Sequence, residues 1–399
     1  MKKGLKITLI TIAIVIATII VLVGGYVGYI FLSYSRLGDM DLTGSIDAKS
    51  TLETVAVNTE YSCTTYNIGF GAYSQDYTFF LDTGYDENGN ETCGKYGKAF
   101  SKEYVENDTY GAIRTVKELD PDFMLFQEVD TKSSRSYKVN QHEAIVNEFT
   151  TFDSIHCVNF HSPFLPYPIP DMHGYVNAGL TTLSKYKIQS AQRKQYTVSD
   201  SFSKLFDLDR CFSVSVISIS NGKNLYLVNS HMSAYDKGGT IREKQMQELN
   251  SFLQACKDEG HYVLVGGDFN HDLITYNPAY TYTSESKPHW YENEETHSAI
   301  WQQKKAPDWV AYMFNEEGKS PIIDGYTIYA AENGPTCRNN DMEWVPGETF
   351  VCAVDGYIAS NNIKVNKIEA IQTKNGVKGI NGYAFSDHEP VYIEFELVG

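Results

Sequence analysis

Tyr262-Val263-Leu264-Val265-Gly266-Gly267-Asp268-Phe269-Asn270 decides the fold. Its first four residues are apolar on both alternating faces, the pattern of a strand covered from two sides. Gly266 and Gly267 carry no Cβ, so the backbone can turn sharply beside a ligand. Asp268 and Asn270 follow at once, and a buried strand thereby ends on a carboxylate and an amide. Upstream, Thr240 and Glu243 form a capping box. The helix they open carries a buried stripe of Leu249, Phe252, Leu253 and Cys256 and closes at Gly260.

The same ordering recurs along the chain. Thr65-Tyr66-Asn67 closes a strand-like run from Tyr61 to Ile68. Phe126-Gln127-Glu128 closes a short apolar run that follows a helical stripe of Ala112, Ile113, Val116 and Leu119 stopped by Pro121. Asn229-Ser230-His231 ends the second arm of a hairpin, Phe212–Ile219 and Asn224–Asn229, turned at Ser220-Asn221-Gly222-Lys223. Val354-Asp355-Gly356-Tyr357-Ile358 and Ser386-Asp387-His388 complete the series before a last strand, Val391 to Leu397. Helix–strand units beside hairpins predict an α/β body with mixed sheets covered by helices. The segment from Asn277 to Phe314 is poorly patterned and reads as a long loop with a short helix near Asp308–Phe314.

Taken singly, each polar residue reads as a turn former, a solvated group or a structural histidine. The ordered set reverses that reading, because turn formers have no reason to arrive in this sequence of types. Catalytic groups gathered from several strand ends form one pocket. Carboxylates, amides and imidazoles suit a hard ion such as Mg²⁺, and that ion suits attack of water on a phosphate ester.

Bulk properties narrow the classes. The acidic balance, a formal charge of −17 and a pI near 5.0, leaves no basic footprint for tight nucleic-acid binding. It also disfavours anionic headgroups. The seven cysteines form no C-x-x-C pair, which excludes a zinc ribbon or a dense disulfide framework. No repeat period and no linker divide the body.

The N-terminus is an apolar run without charge from Ile7 to Leu32, preceded by Lys2, Lys3 and Lys6. It is long enough to span a bilayer and too long for the core of a cleaved signal peptide. The lysines place residues 1–6 in the cytoplasm and the body outside, with Tyr26, Tyr29 and Tyr34 as an interfacial belt. Residues 7–32 then form a signal anchor, 33–59 a polar tether and 60–399 the catalytic body.

With these residues in view, the chain resembles the endonuclease/exonuclease/phosphatase superfamily, over about Tyr61 to Glu396. The resemblance implies a four-layer sandwich of two mixed sheets with helices outside and the site at one end. It implies Asn67 and Glu128 at the metal, with Asp387 beside them. Asp268 becomes the water-orienting acid and Asn270 the phosphate-binding amide. Asp355 and His388 become a carboxylate–imidazole pair, and His231 a second histidine. Asp355 is preferred over Asp324, which stands in a similar Asp-Gly-Tyr triplet, because its strand leads to His388 by the shorter gap. Further substrate-binding candidates are Asn177, Arg210, Arg135 and Tyr137. The implied cofactor is Mg²⁺, with Mn²⁺ or Ca²⁺ as substitutes.

The chemistry stands on the residues as well. A phosphodiester repels nucleophiles by its own charge. A cation on Glu128 neutralises a non-bridging oxygen, Asp268 orients or deprotonates water, and Asn67, Asn270 and a protonated His231 donate to the growing charge. Asp355 fixes the His388 tautomer. The leading expectation is an extracytoplasmic, membrane-anchored phosphodiesterase acting on a lipid headgroup or other small phosphodiester, with the apolar loop Phe164-Leu165-Pro166-Tyr167 facing an interface. An extracellular nuclease is the alternative, supported by a small basic cluster of Lys185, Lys187, Arg193 and Lys194. A non-catalytic surface protein on the same fold is the second alternative, and it predicts erosion of a catalytic set that is here complete.

Overall fold

The run Tyr262–Val265 lies inside the central strand of a sheet sandwiched on both sides, as its all-apolar character requires. The computed structural model describes residues 3–33, 35–86, 90–199, 208–234, 240–276, 309–314 and 319–399. In chain order its two large sheets are built from β1 (Met40–Asp41), β2 (Glu60–Asn67), β3 (Phe123–Asp130), β4 (Asp153–Leu165), β5 (Gly174–Ser184), β6 (Ile188–Gln195), β7 (Cys211–Ser218) and β8 (Asn224–His231). The later strands are β9 (Tyr262–Asp268), β10 (Tyr326–Tyr329), β11 (Asp355–Ser360), β12 (Ile363–Ala370) and β13 (Val391–Leu397). One sheet has the order β1-β6-β7-β8-β9-β11-β10 and the other β12-β13-β2-β3-β5-β4. Each is mixed: β8 and β9 run parallel in the first, β2 and β3 in the second, and their other pairings are antiparallel.

Alternation along β9 separates two cores. Leu264 faces the other sheet and joins Cys63, Phe123, Leu125, Leu227, Tyr357 and Ile393. Val263 and Val265 face outward onto Met246, Leu249 and Leu253 of helix α4 (Thr240–Asp258), numbered after α1 (Lys3–Ser33), α2 (Lys102–Leu119) and α3 (Gln141–Glu148). On the opposite outer face α2 contributes Ala112, Ile113 and Val116, and α3 contributes Ile145, against Tyr66, Met124 and Phe126. The result is the expected four layers, helices–sheet–sheet–helix.

Two polar ties fix the sheets face to face. Tyr357 on β11 donates its hydroxyl to the Cys63 and Val391 carbonyls of the other sheet, at 3.1 and 2.9 Å. Gln127 Nε2 donates to Asn229 Oδ1 at 2.8 Å, and Asn229 Nδ2 returns to the Phe126 carbonyl at 3.1 Å. Both residues are fully buried, so these bonds are made in a low dielectric.

Three expectations change. Residues 33–59 are not a free tether. Met40 and Asp41 pair with Arg193 and Gln192, Asp47 bridges Ser154, and Val55 is buried while bonded to Ser218 and Ser220. The exposed sheet edges take this segment as a cover. Second, the helix expected near 308–314 is not found among the described residues: Tyr312–Phe314 is a strand beside Asp272–Tyr276, with Met313 sunk in the α4-side core. Most of the 277–314 insert lies outside the described residues. Third, the basic cluster does not exist as a patch. Arg193 is wholly buried and donates to the carbonyls of Leu37, Gly38, Val158 and Asp209. Lys185, Lys187 and Lys194 are paired with Asp122, Glu53 and Asp39.

Helix α1 is long and apolar enough to cross a membrane, and its most apolar stretch of 18 residues is unburied. Its far end touches the body: Ile30 is buried, and the Tyr26 hydroxyl donates to the Phe164 carbonyl at 2.8 Å.

Replacing Tyr357 by Phe deletes both of its inter-sheet bonds, to the Cys63 and Val391 carbonyls. We expect Tyr357→Phe to lower unfolding free energy by about 1–3 kcal/mol, read by chemical denaturation of the detergent-solubilised chain.

Candidate active site

Strand register assembles the centre. His231, Asp268 and Asp355 occupy one rung of three adjacent strands, β8, β9 and β11, so their side chains share a face. That face looks onto the other sheet, where Asn67 ends β2. Glycine makes the rung possible. Gly267 has φ +153°, and a Cβ there would stand 2.0 Å from the Ser230 carbonyl oxygen; one on Gly266 would press on Leu125 and the Tyr357 ring at 2.7 Å. Glu128 reaches the site because β3 bulges between Phe126 and Val129, with Glu128 itself at φ +54°. His388 arrives from the loop before β13.

Asp268 is the hub. Its Oδ1 accepts the Asn270 backbone N–H at 2.8 Å, and its Oδ2 accepts the Asn67 amide at 3.0 Å. The same Oδ2 lies 3.4 Å from His231 Nε2 and 3.8 Å from His388 Nε2. Burial pushes the Asp268 carboxyl up to about 6, against the pull of His388. His388 Nδ1 is 2.7 Å from Asp355 Oδ2. Burial works against a charged His388, but the Asp355 carboxylate outweighs it and holds the imidazole above its ordinary range.

His231 behaves oppositely. Burial, reinforced by the Arg210 charge, lowers it well below the ordinary histidine value, so it is neutral near pH 7. Its Nδ1 faces the Asn159 amide nitrogen at 3.2 Å, which leaves the proton on Nε2, toward Asp268. The protonated donor expected from the sequence is therefore a neutral one. Desolvation in a closed rung is the reason, and no sequence pattern carries that information.

A cavity of about 660 Å³ opens over this centre. Glu128, Arg210, His231, Asp268, Asn270, Asp387 and His388 reach its floor, and Tyr73, Phe79, Phe80, Leu165, Tyr167 and Leu208 form an apolar wall. Arg135 also lines it, but its guanidinium is bound by both oxygens of Asp130 at 2.9 and 3.1 Å and lies 3.8 Å above the Phe70 ring. Asn177 and Tyr137 do not line it. The Asn177 backbone instead joins Thr131 and Ser133, and the Tyr137 hydroxyl donates to the Phe100 carbonyl.

Sequence reading missed Asn159, Cys337 and Asn340. Cys337 Sγ stands 3.6 Å from His388 Nε2, and Asn340 donates to Asp387 Oδ2 at 2.6 Å. Each sits in an unremarkable local sequence and becomes visible only through pairing.

The donors fit a hard divalent cation. Glu128 and Asp387 both bring carboxylates to the cavity floor; Asp268, Asp355 and His388 also have ligand atoms within 4.8 Å of one another, but an imidazole held in its charged form has no lone pair to offer a cation. Burial raises the Glu128 carboxyl, opposed by Arg135; a bound cation would favour its charged form. The Asn67 oxygen accepts from the Gly69 N–H at 3.0 Å, and its nitrogen faces Glu128 and Asp268 at 3.4 and 3.0 Å, so it orients both carboxylates.

A family model described as the Endonuclease/Exonuclease/phosphatase family matches residues 64–291. No curated protein matches the sequence. Among solved structures, the chain is similar to D. rerio TDP2 complexed with single strand DNA product, at 13% identity and TM-score 0.47, covering 85% of this chain and 100% of that one. It is similar to ANGEL2, a 2',3'-cyclic phosphatase, in complex with adenosine-2',3'-vanadate, at 14% identity and TM-score 0.48, covering 85% and 96%. It is also similar to the endonuclease/exonuclease/phosphatase from Beutenbergia cavernae DSM 12333, at 12% identity and TM-score 0.47, covering 85% and 72%.

Below about pH 6 Asp268 holds a proton and cannot accept one from water; far above neutrality His388 loses its charge. We expect hydrolysis of a soluble phosphodiester to follow a bell-shaped pH profile with its rising limb near 6. An Asp355→Asn variant should move the falling limb to lower pH, because the charge that holds the His388 proton is gone.

Proposed function

The chain belongs to the endonuclease/exonuclease/phosphatase family, and from that premise we propose that it is a membrane-anchored, extracytoplasmic phosphodiesterase dependent on a divalent cation, with Mg²⁺ preferred. The observation that carries the reading is the single rung of His231, Asp268 and Asp355 closed by His388 and Asn67. A retired binding fold has no reason to keep these groups in mutual hydrogen-bond range.

In this reading Asp268 accepts a proton from the attacking water, with its carboxylate held in one orientation by Asn67 and Asn270. His388, kept charged by Asp355, donates to a phosphoryl oxygen, and neutral His231 donates through Nε2. Arg210 supplies positive charge at the cavity floor. Glu128 and Asp387 would hold the cation, which would supply Lewis-acid neutralisation of the phosphate charge. The low dielectric of the buried rung strengthens each of these interactions.

The substrate read here is a lipid headgroup ester or another small phosphodiester. An apolar wall beside the phosphate site supports it, since nucleic acid would call for a basic track. The paired lysines and buried Arg193 remove the cluster that favoured a nuclease. Lysines ahead of the apolar run of α1 and none within it support an outside body.

The test is hydrolysis of bis(p-nitrophenyl) phosphate, phosphatidylcholine–sphingomyelin vesicles and plasmid DNA, with Mg²⁺ and with chelator. Chelator should abolish the activity and Mg²⁺ restore it. Asp268→Asn should lower kcat by about 10³-fold with folding intact. Glu128→Gln should raise the Mg²⁺ concentration needed for half-activation. Chelator-resistant hydrolysis, or full rate in Asp268→Asn, would sink the assignment, and preferential plasmid cleavage would replace the lipid reading by the nuclease.

A further inference from the structure

The connection from β4 to β5 carries exposed apolar side chains at the mouth of the cavity. Phe164 is 37% exposed, Tyr167 58% and Ile169 75%, and Leu81 across the mouth is 52% exposed. Tyr167 and Leu81 also line the cavity, so the patch continues into the apolar wall. Phe80 and Tyr167 stack edge to face, with ring centroids 5.4 Å apart. Soluble surfaces seldom leave large side chains exposed together at the rim of a site.

Helix α1 says what covers this patch. Tyr26 donates to the Phe164 carbonyl at 2.8 Å, and Tyr29 accepts the Phe164 N–H at 3.1 Å. One residue of the rim is thus clasped on both of its backbone groups by the helix, and the neighbouring Ile30 is buried. A hydrocarbon core of about 30 Å takes roughly 20 helical residues. Counted from Lys6, the last charge before the apolar run, that length ends at Tyr26. The clasp therefore holds Phe164 at the outer boundary of the bilayer, the depth that tyrosines favour.

We propose that the rim formed by Leu81, Phe164, Tyr167 and Ile169 is a docking surface for the outer leaflet of the membrane that holds α1, a leaflet of zwitterionic phospholipid. The cavity then opens onto lipid headgroups, and a phosphodiester enters it directly from the bilayer with its apolar part along Phe80 and Tyr167. The acidic body, at −17, selects against a strongly anionic surface. The substrate half of this inference rests on the phosphodiesterase reading, while the docking half does not.

The full chain in phosphatidylcholine–sphingomyelin vesicles tests both halves. Ile169→Trp, compared with the parent chain, should add blue-shifted emission that is quenched by phosphatidylcholine brominated high on its acyl chains. Water-like, unquenched emission would overturn the docking surface whatever the activity. Ile169→Glu combined with a change of its exposed neighbour on the same connection, Met172→Glu (36% exposed), should lower phosphocholine release from the vesicles by about fivefold or more, while hydrolysis of bis(p-nitrophenyl) phosphate stays at the parent rate. Equal vesicle rates in variant and parent would also overturn docking. Quenching in the Ile169→Trp chain, with a parent that cleaves the soluble diester but not the vesicle lipid, would overturn the lipid substrate. Quenching without hydrolysis of either substrate would leave docking supported and overturn the phosphodiesterase reading instead.

Discussion

The closeness of the two sheets at Gly266 is the constraint on which the rest depends. The Leu125 side chain and the Tyr357 ring occupy the space that a side chain at 266 would need. That contact sets the distance between β9 in one sheet and β3 in the other. Because Asp268 follows two residues later, it also sets where Asp268 meets Asn67 across the gap. The inter-sheet hydroxyl of Tyr357 and the Gln127–Asn229 amide pair hold the same spacing from either side. A wider gap would separate the two halves of the centre without altering any catalytic residue.

Within that gap burial determines the ionisation of each group more than residue type does. Two histidines face one aspartate, yet they titrate in opposite directions. His388 has a carboxylate at 2.7 Å and is held charged; His231 has an amide on one side and Arg210 nearby, and is held neutral. Their division into a cationic donor and a neutral donor follows from these second partners. Asp268 stays poised between them, raised by desolvation and drawn down by His388.

The N-terminal segment ties this centre to its surroundings. Residues 40–58 run along the sheet edges rather than hanging free, and Arg193 fastens them by donating to the Leu37 and Gly38 carbonyls. Together with the tyrosine clasp on Phe164, they leave the body little freedom to rotate about α1. With α1 in a membrane, as proposed above, an enzyme held this way would meet it in one orientation, which a flexible tether of similar length would not impose.

The sequence alone determined the elements and the principal polar residues. The all-apolar run before Gly266, the helical stripes and the turn glycines identify strands covered on two faces, because local periodicity is a local property. The ordered strand-end residues Asn67, Glu128, His231, Asp268, Asp355 and His388 were legible for the same reason. Tertiary structure decided the rest. That Asn159 fixes the His231 tautomer, that Cys337 stands beside His388, and that the Asn67 amide meets the Asp268 carboxylate depend on partners 51 to 201 residues away. Arg135, Asn177 and Tyr137 looked alike as candidates, yet only Arg135 reaches the cavity, bound to Asp130. The edge-covering role of residues 40–58 was equally hidden, since an edge strand gains its meaning from the sheet it completes. Ionisation belongs with this second group, because it measures the loss of water around a side chain, and that loss exists only once the sheets have closed.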